Sequence, residues 1–309
     1  MAKPITMRDT FWNRVYELAR DDKDVMLVIA DMGAPSLDKF RKDFPNQFIN
    51  VGIAEQDAIL IAAGMAIKGK KVYAYAIAPF ITMRCYEQIR LYPAAMNLHI
   101  TVVGVGAGVC YEESGPTHHA VEDVSLLRIL PNMKIYSASD NNMTRKFADF
   151  TYQNHGPSYV RLDRIPLPNI YPTDADFTMG LGVLRPVKKK TIIATGCMVG
   201  TALKAYEKLA AQGIEIGVLD AYRIPVEKAI FKELTKGVEK IYVLEEHTLP
   251  GGLGSQICEL VMDCDLPIKV RRFGFDFQEH YCYTYGGRDV IRAEYGLDAD
   301  SIVNVMAET

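Results

Sequence analysis

The chain has 309 residues, 49% of them hydrophobic and 24% charged, the proportions of a soluble globular protein long enough for two domains. A net charge of −3 gives no basic footprint for nucleic acid or an anionic membrane surface, and no apolar run is long enough to span a bilayer. The six cysteines (85, 110, 197, 258, 264 and 282) show no CxxC spacing, and the opening MAKPITMRDTFWNRVYELAR has no apolar leader segment. The expectation is a cytoplasmic protein with free thiols and neither a zinc site nor a disulfide framework.

Residues 6–20 read as an amphipathic helix with Phe11, Val15 and Leu18 on one stripe. Val25–Ala30 is a continuous apolar run ending at Asp31, the pattern of a buried parallel strand with a polar residue at its carboxyl end. Phe48–Val51 is a second strand. From Glu55 a run rich in Ala, Ile and Leu reads as a helix closed near Gly69, and its apolar residues on every side predict a fully buried helix. Glu55 in its first turn is consistent with plain interaction with the helix dipole or with a functional carboxylate. Lys71–Ala78 is a third strand, Ile81–Leu91 helical and Ile100–Val105 a fourth strand leading into a glycine-rich loop. Val121–Leu130 reads as helix, Met133–Ala138 as strand, Asn141–Asn154 as helix and Pro157–Leu162 as strand. Residues 163–188 break the rhythm, with four prolines (166, 168, 172 and 186) and no periodicity, and read as a linker. Alternation then resumes with strands at Thr191–Thr195, Ile216–Asp220, Lys240–Glu245 and 268–273, helices between them and a helical C-terminus. The expected fold class is α/β, with two domains, each a mostly parallel sheet covered by helices on both faces. The boundaries are 1–165 for the first domain, 166–188 for the linker and 189–309 for the second.

In open α/β sheets, ligands bind outside the carboxyl ends of the strands. Asp31, Glu55, Pro79–Phe80 and the 106–119 loop all occupy such positions. That loop carries adjacent His118 and His119, with Glu122 and Asp123 nearby. A metal there lacks a third His or Cys ligand, so hydrogen bonding or proton transfer by His118 is the more natural reading. Gly104–Val105–Gly106–Ala107–Gly108 has GxGxG rather than GxGxxG spacing and opens no helix, which removes the dinucleotide reading. No P-loop, GxSxG or HExxH occurs.

Four segments, FINVGIAEQDAILIAAGMAIKG, SGPTHHAVEDVSLLRILPNM, TIIATG and LEEHTLPGGLGS, carry a likeness over nearly the whole chain. On them the chain resembles the C-terminal half of transketolase-type thiamine diphosphate enzymes, a pyrimidine-binding domain followed by a transketolase C-terminal domain. The likeness extends more loosely to 1-deoxyxylulose-5-phosphate synthase and to the β subunits of 2-oxo acid dehydrogenases. The resemblance implies that Glu55, the glutamate of the GIAEQ motif, hydrogen-bonds N1′ of the cofactor's aminopyrimidine and so activates the thiazolium C2. It implies an aromatic pocket for that ring at Phe80, Met83 and Tyr86, where Met83 departs from the pattern and a shift of one residue would bring in Ile81 and Arg84. Asp31 falls near the cofactor, His118 of the GPTH segment at substrate hydroxyls or protons, and Ser36 and Arg164 at the sugar phosphate.

Two departures concern the substrate. Gly106 stands where transketolases carry a histidine, and Ser114 where they carry an acidic residue, both being sugar contacts. Donor and acceptor therefore stay open. The family's diphosphate and Mg²⁺ are held by a separate domain with a GDG…N motif, and no GDG occurs in this chain. The resemblance thus implies a β-type subunit of a split enzyme, active with an α-type partner that binds diphosphate and Mg²⁺, as an α2β2 heterotetramer. The implied reaction is two-carbon ketol transfer from a ketose to an aldehyde. The alternatives are a synthase or an oxidative decarboxylase acting on a 2-oxo acid donor, and a silent subunit that keeps the fold for binding.

Overall fold

The computed structural model describes residues 5–277 and 279–308. The first four residues of the expected first domain and Thr309 of the second lie outside it. The first half runs α1 (Met7–Asp21), β1 (Val25–Ile29), α2 (Pro35–Asp43), β2 (Phe48–Asn50), α3 (Glu55–Ile67), β3 (Lys71–Ile77), α4 (Ala78–Thr82), α5 (Tyr86–Ile89), β4 (Ile100–Val105), α6 (Asp123–Arg128), β5 (Lys134–Ser137), α7 (Asn141–Gln153) and β6 (Ser158–Leu162). β1 is buried along its whole length because it is covered on both faces. Met26, Val28 and Ala30 enter one core, while Val25, Leu27 and Ile29 enter another with α1, α2 and α7.

The second half runs β7 (Leu181–Arg185), β8 (Lys190–Ala194), α8 (Met198–Ala211), β9 (Gly217–Ala221), β10 (Arg223–Ile224), α9 (Lys228–Leu234), β11 (Lys240–Thr248), α10 (Leu253–Asp263), β12 (Lys269–Phe275), α11 (Arg288–Glu294) and α12 (Ala299–Ala307). Two mostly parallel sheets result, ordered β10-β5-β6-β4-β3-β1-β2 and β12-β11-β8-β9-β7.

The segment expected to be linker contains β7, which pairs antiparallel with β9 at the edge of the second sheet. Its short, half-exposed pattern, with Pro186 just beyond, concealed it. β10, from the second half, pairs antiparallel with β5 and extends the first sheet. The halves also share one continuous core, in which Val124 and Leu127 join Leu219, Ile224 and Leu253.

Two helical expectations change. α3 is buried only along Glu55, Ala58, Ile59, Ala62 and Ala63, while Leu60, Ile61 and Ile67 are exposed. Its apolar composition therefore marks an open apolar face rather than all-round burial within this chain. The helix expected over 81–91 is broken into α4, α5 and a π-helical turn over Arg90–Ala94, where Pro93 cannot donate a backbone hydrogen bond.

Candidate active site

Because β1 to β4 and β6 run parallel, their carboxyl ends share one edge of the first sheet. β1 delivers Asp31, β2 leads to Glu55, β3 to Phe80, β4 to the 106–119 loop and β6 to Arg164. Between β2 and α3, Gly52 has φ +75°, a left-handed turn open to glycine without strain. The chain then enters α3 with Glu55 in its first turn, its side chain 4% exposed. Glu55 makes no capping bond. It pairs instead with Arg84, whose Nη1 donates to Oε2 at 2.6 Å. The Arg84 guanidinium also lies 4.4 Å from the Phe80 ring centroid. Phe80 in turn meets the His118 ring, centroids 5.0 Å apart and planes at 66°. A buried carboxylate, a flat hydrocarbon ring and an imidazole are thus joined in one run of contacts.

The loop after β4 supplies the other wall. Gly106 has φ +92°, and a Cβ there would lie 2.1 Å from Cε2 of Tyr111. The missing side chain is what lets the Tyr111 ring fold back over the strand end. Tyr111 sits 6.0 Å from the His118 ring, and the Arg164 guanidinium lies 4.9 Å from its centroid. Burial pushes the Tyr111 hydroxyl up, with the charges of Arg164 and Arg8 opposing it. Arg8, at the start of α1, has a buried Nε without a partner and neighbours Asp9, which accepts from Ser36 Oγ at 2.9 Å. Thr117 Oγ1 lies 2.9 Å from Nδ1 of His118.

The structure therefore brings together Glu55, Phe80 and His118, with Arg164 joined through Tyr111. Ser36 lies with Asp9 and Arg8 at the α1–α2 side. Asp31 is exposed with φ +50°, its N–H bonded to Asn50 Oδ1 at 3.1 Å beside the β2 end. Met83 caps α4, half-buried, and Tyr86 packs against the core rather than against Phe80. Ser114 is exposed in a 3₁₀ turn and accepts from Thr117 through its carbonyl at 3.4 Å. Sequence reasoning missed Arg8 and Tyr111. Arg8 lay among ordinary surface-type residues of an amphipathic helix. Tyr111 had one signal, the glycine five residues before it.

Asp123, which follows His118 and His119 in the chain, accepts from Arg161 Nε at 2.7 Å and Tyr159 Oη at 2.8 Å. Among the described residues no group of three His, Cys, Asp or Glu is placed to hold a metal ion. Glu55 and Phe80 fit an aminopyrimidine: a buried carboxylate with a single partner beside a planar ring.

Residues 3–169 match the family model for the transketolase pyrimidine-binding domain and residues 181–302 that for the transketolase C-terminal domain. The chain belongs to the transketolase family. It is 35% identical to a subunit of the apulose-4-phosphate transketolase of Phocaeicola vulgatus, over 98% of this chain and 97% of that one. It is 33% identical to a 6-deoxy-6-sulfo-D-fructose transketolase subunit of Clostridium sp. strain MSTE9, over 98% and 95%. A 1-deoxy-D-xylulose-5-phosphate synthase of Pelotomaculum thermopropionicum is 33% identical over 98% of this chain, which spans 48% of that enzyme. Among solved structures, a split gene transketolase described as an inactive beta4 tetramer superposes with TM-score 0.88 at 30% identity, covering 98% of both chains. The transketolase of Campylobacter jejuni shares the fold at TM-score 0.82 and 20% identity, over 99% of this chain and 47% of its own.

Proposed function

We propose that this chain is the β-type subunit of a thiamine diphosphate-dependent enzyme that transfers a two-carbon ketol unit from a ketose to an aldehyde. The observation that carries the reading is the contact run from Glu55 through Arg84 to Phe80 and His118 at the carboxyl edge of the first sheet. When bound, the cofactor would supply the nucleophilic carbon for attack on the donor carbonyl. Glu55 would hold N1′ of its aminopyrimidine, and Phe80 would pack on the ring. His118, half-buried and facing both Phe80 and Tyr111, is positioned to carry a substrate proton at its imidazole. Arg164 lies beside Tyr111, where its guanidinium suits a sugar phosphate; Arg8, whose charge also acts on Tyr111, and Ser36 are both held by Asp9 and would turn from it to reach the same phosphate.

The diphosphate and Mg²⁺ are assigned mainly to an α-type partner subunit, in an α2β2 assembly. Relatives named as single subunits of transketolases and a split-gene structural neighbour support a partner chain. So does the open apolar face of α3, with Ile53 just before it 79% exposed. Six free thiols support a cytoplasmic location, and no helix among the described residues is long and apolar enough to cross a membrane.

The test uses the chain with its partner subunit, thiamine diphosphate and Mg²⁺, on a panel of ketose donors and aldose acceptors. Glu55→Gln is expected to lower kcat by roughly 10²–10⁴-fold. Full activity of that variant would overturn the reading. A second reading, a synthase or oxidative decarboxylase using a 2-oxo acid, is favoured by Gly106 and the Tyr111 ring folded over it in place of a sugar-contact histidine. Release of CO₂ from pyruvate, in place of ketol transfer, would select it.

A further inference from the structure

Arg84 occupies the two places, beside Glu55 and against Phe80, that an aminopyrimidine would take. It is flat, it lies against the Phe80 ring at 4.4 Å, and a nitrogen donates to the Glu55 carboxylate at 2.6 Å. A cofactor ring cannot take both positions while Arg84 holds them. The backbone around Arg84 is pinned: its carbonyl accepts from Gln56 Nε2 at 3.1 Å, and the next residue's Cys85 Sγ donates to the Phe80 carbonyl at 3.3 Å. The side chain is 45% exposed, against 4% for Glu55. The arginine therefore has a solvated place to go, while the carboxylate has none. A buried carboxylate without a counter-charge is strongly unfavourable, so something must stand beside Glu55 before the cofactor arrives.

We propose that Arg84 is a displaceable stand-in for the cofactor's aminopyrimidine. In the cofactor-free chain it neutralises Glu55 and covers Phe80. On cofactor binding the guanidinium turns out into solvent and both positions pass to the aminopyrimidine, with one proton taken up from solvent and shared between Glu55 and N1′, so that the buried carboxylate is not left without a partner. Arg84 is thus a positioning residue acting through Glu55, and it weakens cofactor affinity in return for a stable free site. The inference rests on the reading of Glu55 and Phe80 as the aminopyrimidine site.

The experiment measures the dissociation constant of thiamine diphosphate by calorimetry, with Mg²⁺, on the complex of this chain with its partner subunit. Arg84→Met keeps an unbranched, flexible stem and removes the charge and the donors. It is expected to bind the cofactor roughly fivefold to tenfold more tightly, since one half-exposed ion pair and one cation–π contact no longer compete. The same variant without cofactor is expected to melt earlier, and adding Glu55→Gln is expected to restore the melting temperature. Arg84→Lys, which keeps the charge and loses the flat stack, should fall between. A purely structural arginine, or one that holds the cofactor directly, predicts weaker binding in Arg84→Met. Unchanged or weaker binding overturns the inference. Glu55→Gln and Phe80→Ala are titrated alongside. If neither weakens binding, the aminopyrimidine site itself is misplaced. If both weaken it and Arg84→Met does not tighten it, the stand-in role alone fails.

Discussion

Glu55 and Glu246 are both carboxylates withdrawn from water, and both face arginine, yet they sit in opposite circumstances. Glu246, on β11, is fully buried and is held by Arg288 and Arg292, four apart on one face of α11. Arg292 Nε donates at 2.8 Å, Arg288 Nε at 2.9 Å, and Arg288 also reaches Asp163 at 2.8 Å in the first half. Burial pushes the Glu246 carboxyl up, but the two guanidinium groups outweigh it and hold it well below the usual range. Gly108 makes room, because a Cβ there would lie 2.1 Å from Glu246 Oε2. Glu55 instead has a single partner, half in solvent. A carboxylate saturated by buried partners ties two domains together. A carboxylate with one half-exposed partner is the one that the proposed function puts to use.

Arg288→Met tests the structural side of the contrast and carries the largest expected stability effect. It leaves Glu246 and Asp163 short of charge, so unfolding free energy should fall by about 3–5 kcal/mol, read by denaturant titration. The pH dependence has a definite sign. The Glu246 carboxyl is depressed in the fold, so its contribution is complete above the ordinary carboxylate pKa and is lost as pH falls below it. Arg164→Ala tests the chemical side: KM for a phosphorylated substrate should rise roughly tenfold to a hundredfold, with cofactor affinity and melting temperature nearly unchanged. Gly106→Ala pushes on the Tyr111 ring. A several-fold rise in KM, about threefold to tenfold, is expected in steady-state kinetics, with little change in cofactor binding. An equal loss in both would move Tyr111 from the substrate wall to the cofactor pocket.

Asp220 sharpens the structural half. Its Oδ2 accepts from Ser139 Oγ at 2.7 Å and Tyr171 Oη at 3.1 Å, joining first domain, connecting segment and second sheet. Burial pushes its pKa up to about 7, against the two donors. A raised carboxyl pKa means that stability is fully present below the unfolded value and is lost as pH rises through about 7. Thermal melts from pH 5 to pH 8 should show that decline, and Asp220→Asn should flatten it.

Much of this was legible in the chain itself. Ile100–Val105 was predicted as a strand with its observed bounds, and Val25–Ala30 and Lys71–Ala78 each to within one residue, because a strand covered on both faces must be a continuous apolar run. Glu55 at the start of a helix was likewise readable from Gly52 and the Ala-rich run behind it. β7 was hidden because an edge strand needs little apolar pattern. β10 was hidden because two residues that pair with a strand almost ninety positions earlier leave no periodicity to detect.

The sequence by itself determined the α/β alternation, the two halves, the chemistry-bearing residues at the strand ends and the family they resemble. These are local properties: apolar period, helix ends and short motifs. Only the tertiary structure decided which charge meets which. Glu55 and Arg84 are 29 residues apart, Glu246 and Arg288 are 42, and Asp163 and Arg288 are 125. No local pattern encodes such pairs, because their strength comes from the desolvation that packing imposes. The open face of α3 belongs to the same class. Its composition was read correctly as apolar, but what covers it depends on neighbours, and this chain covers only one side.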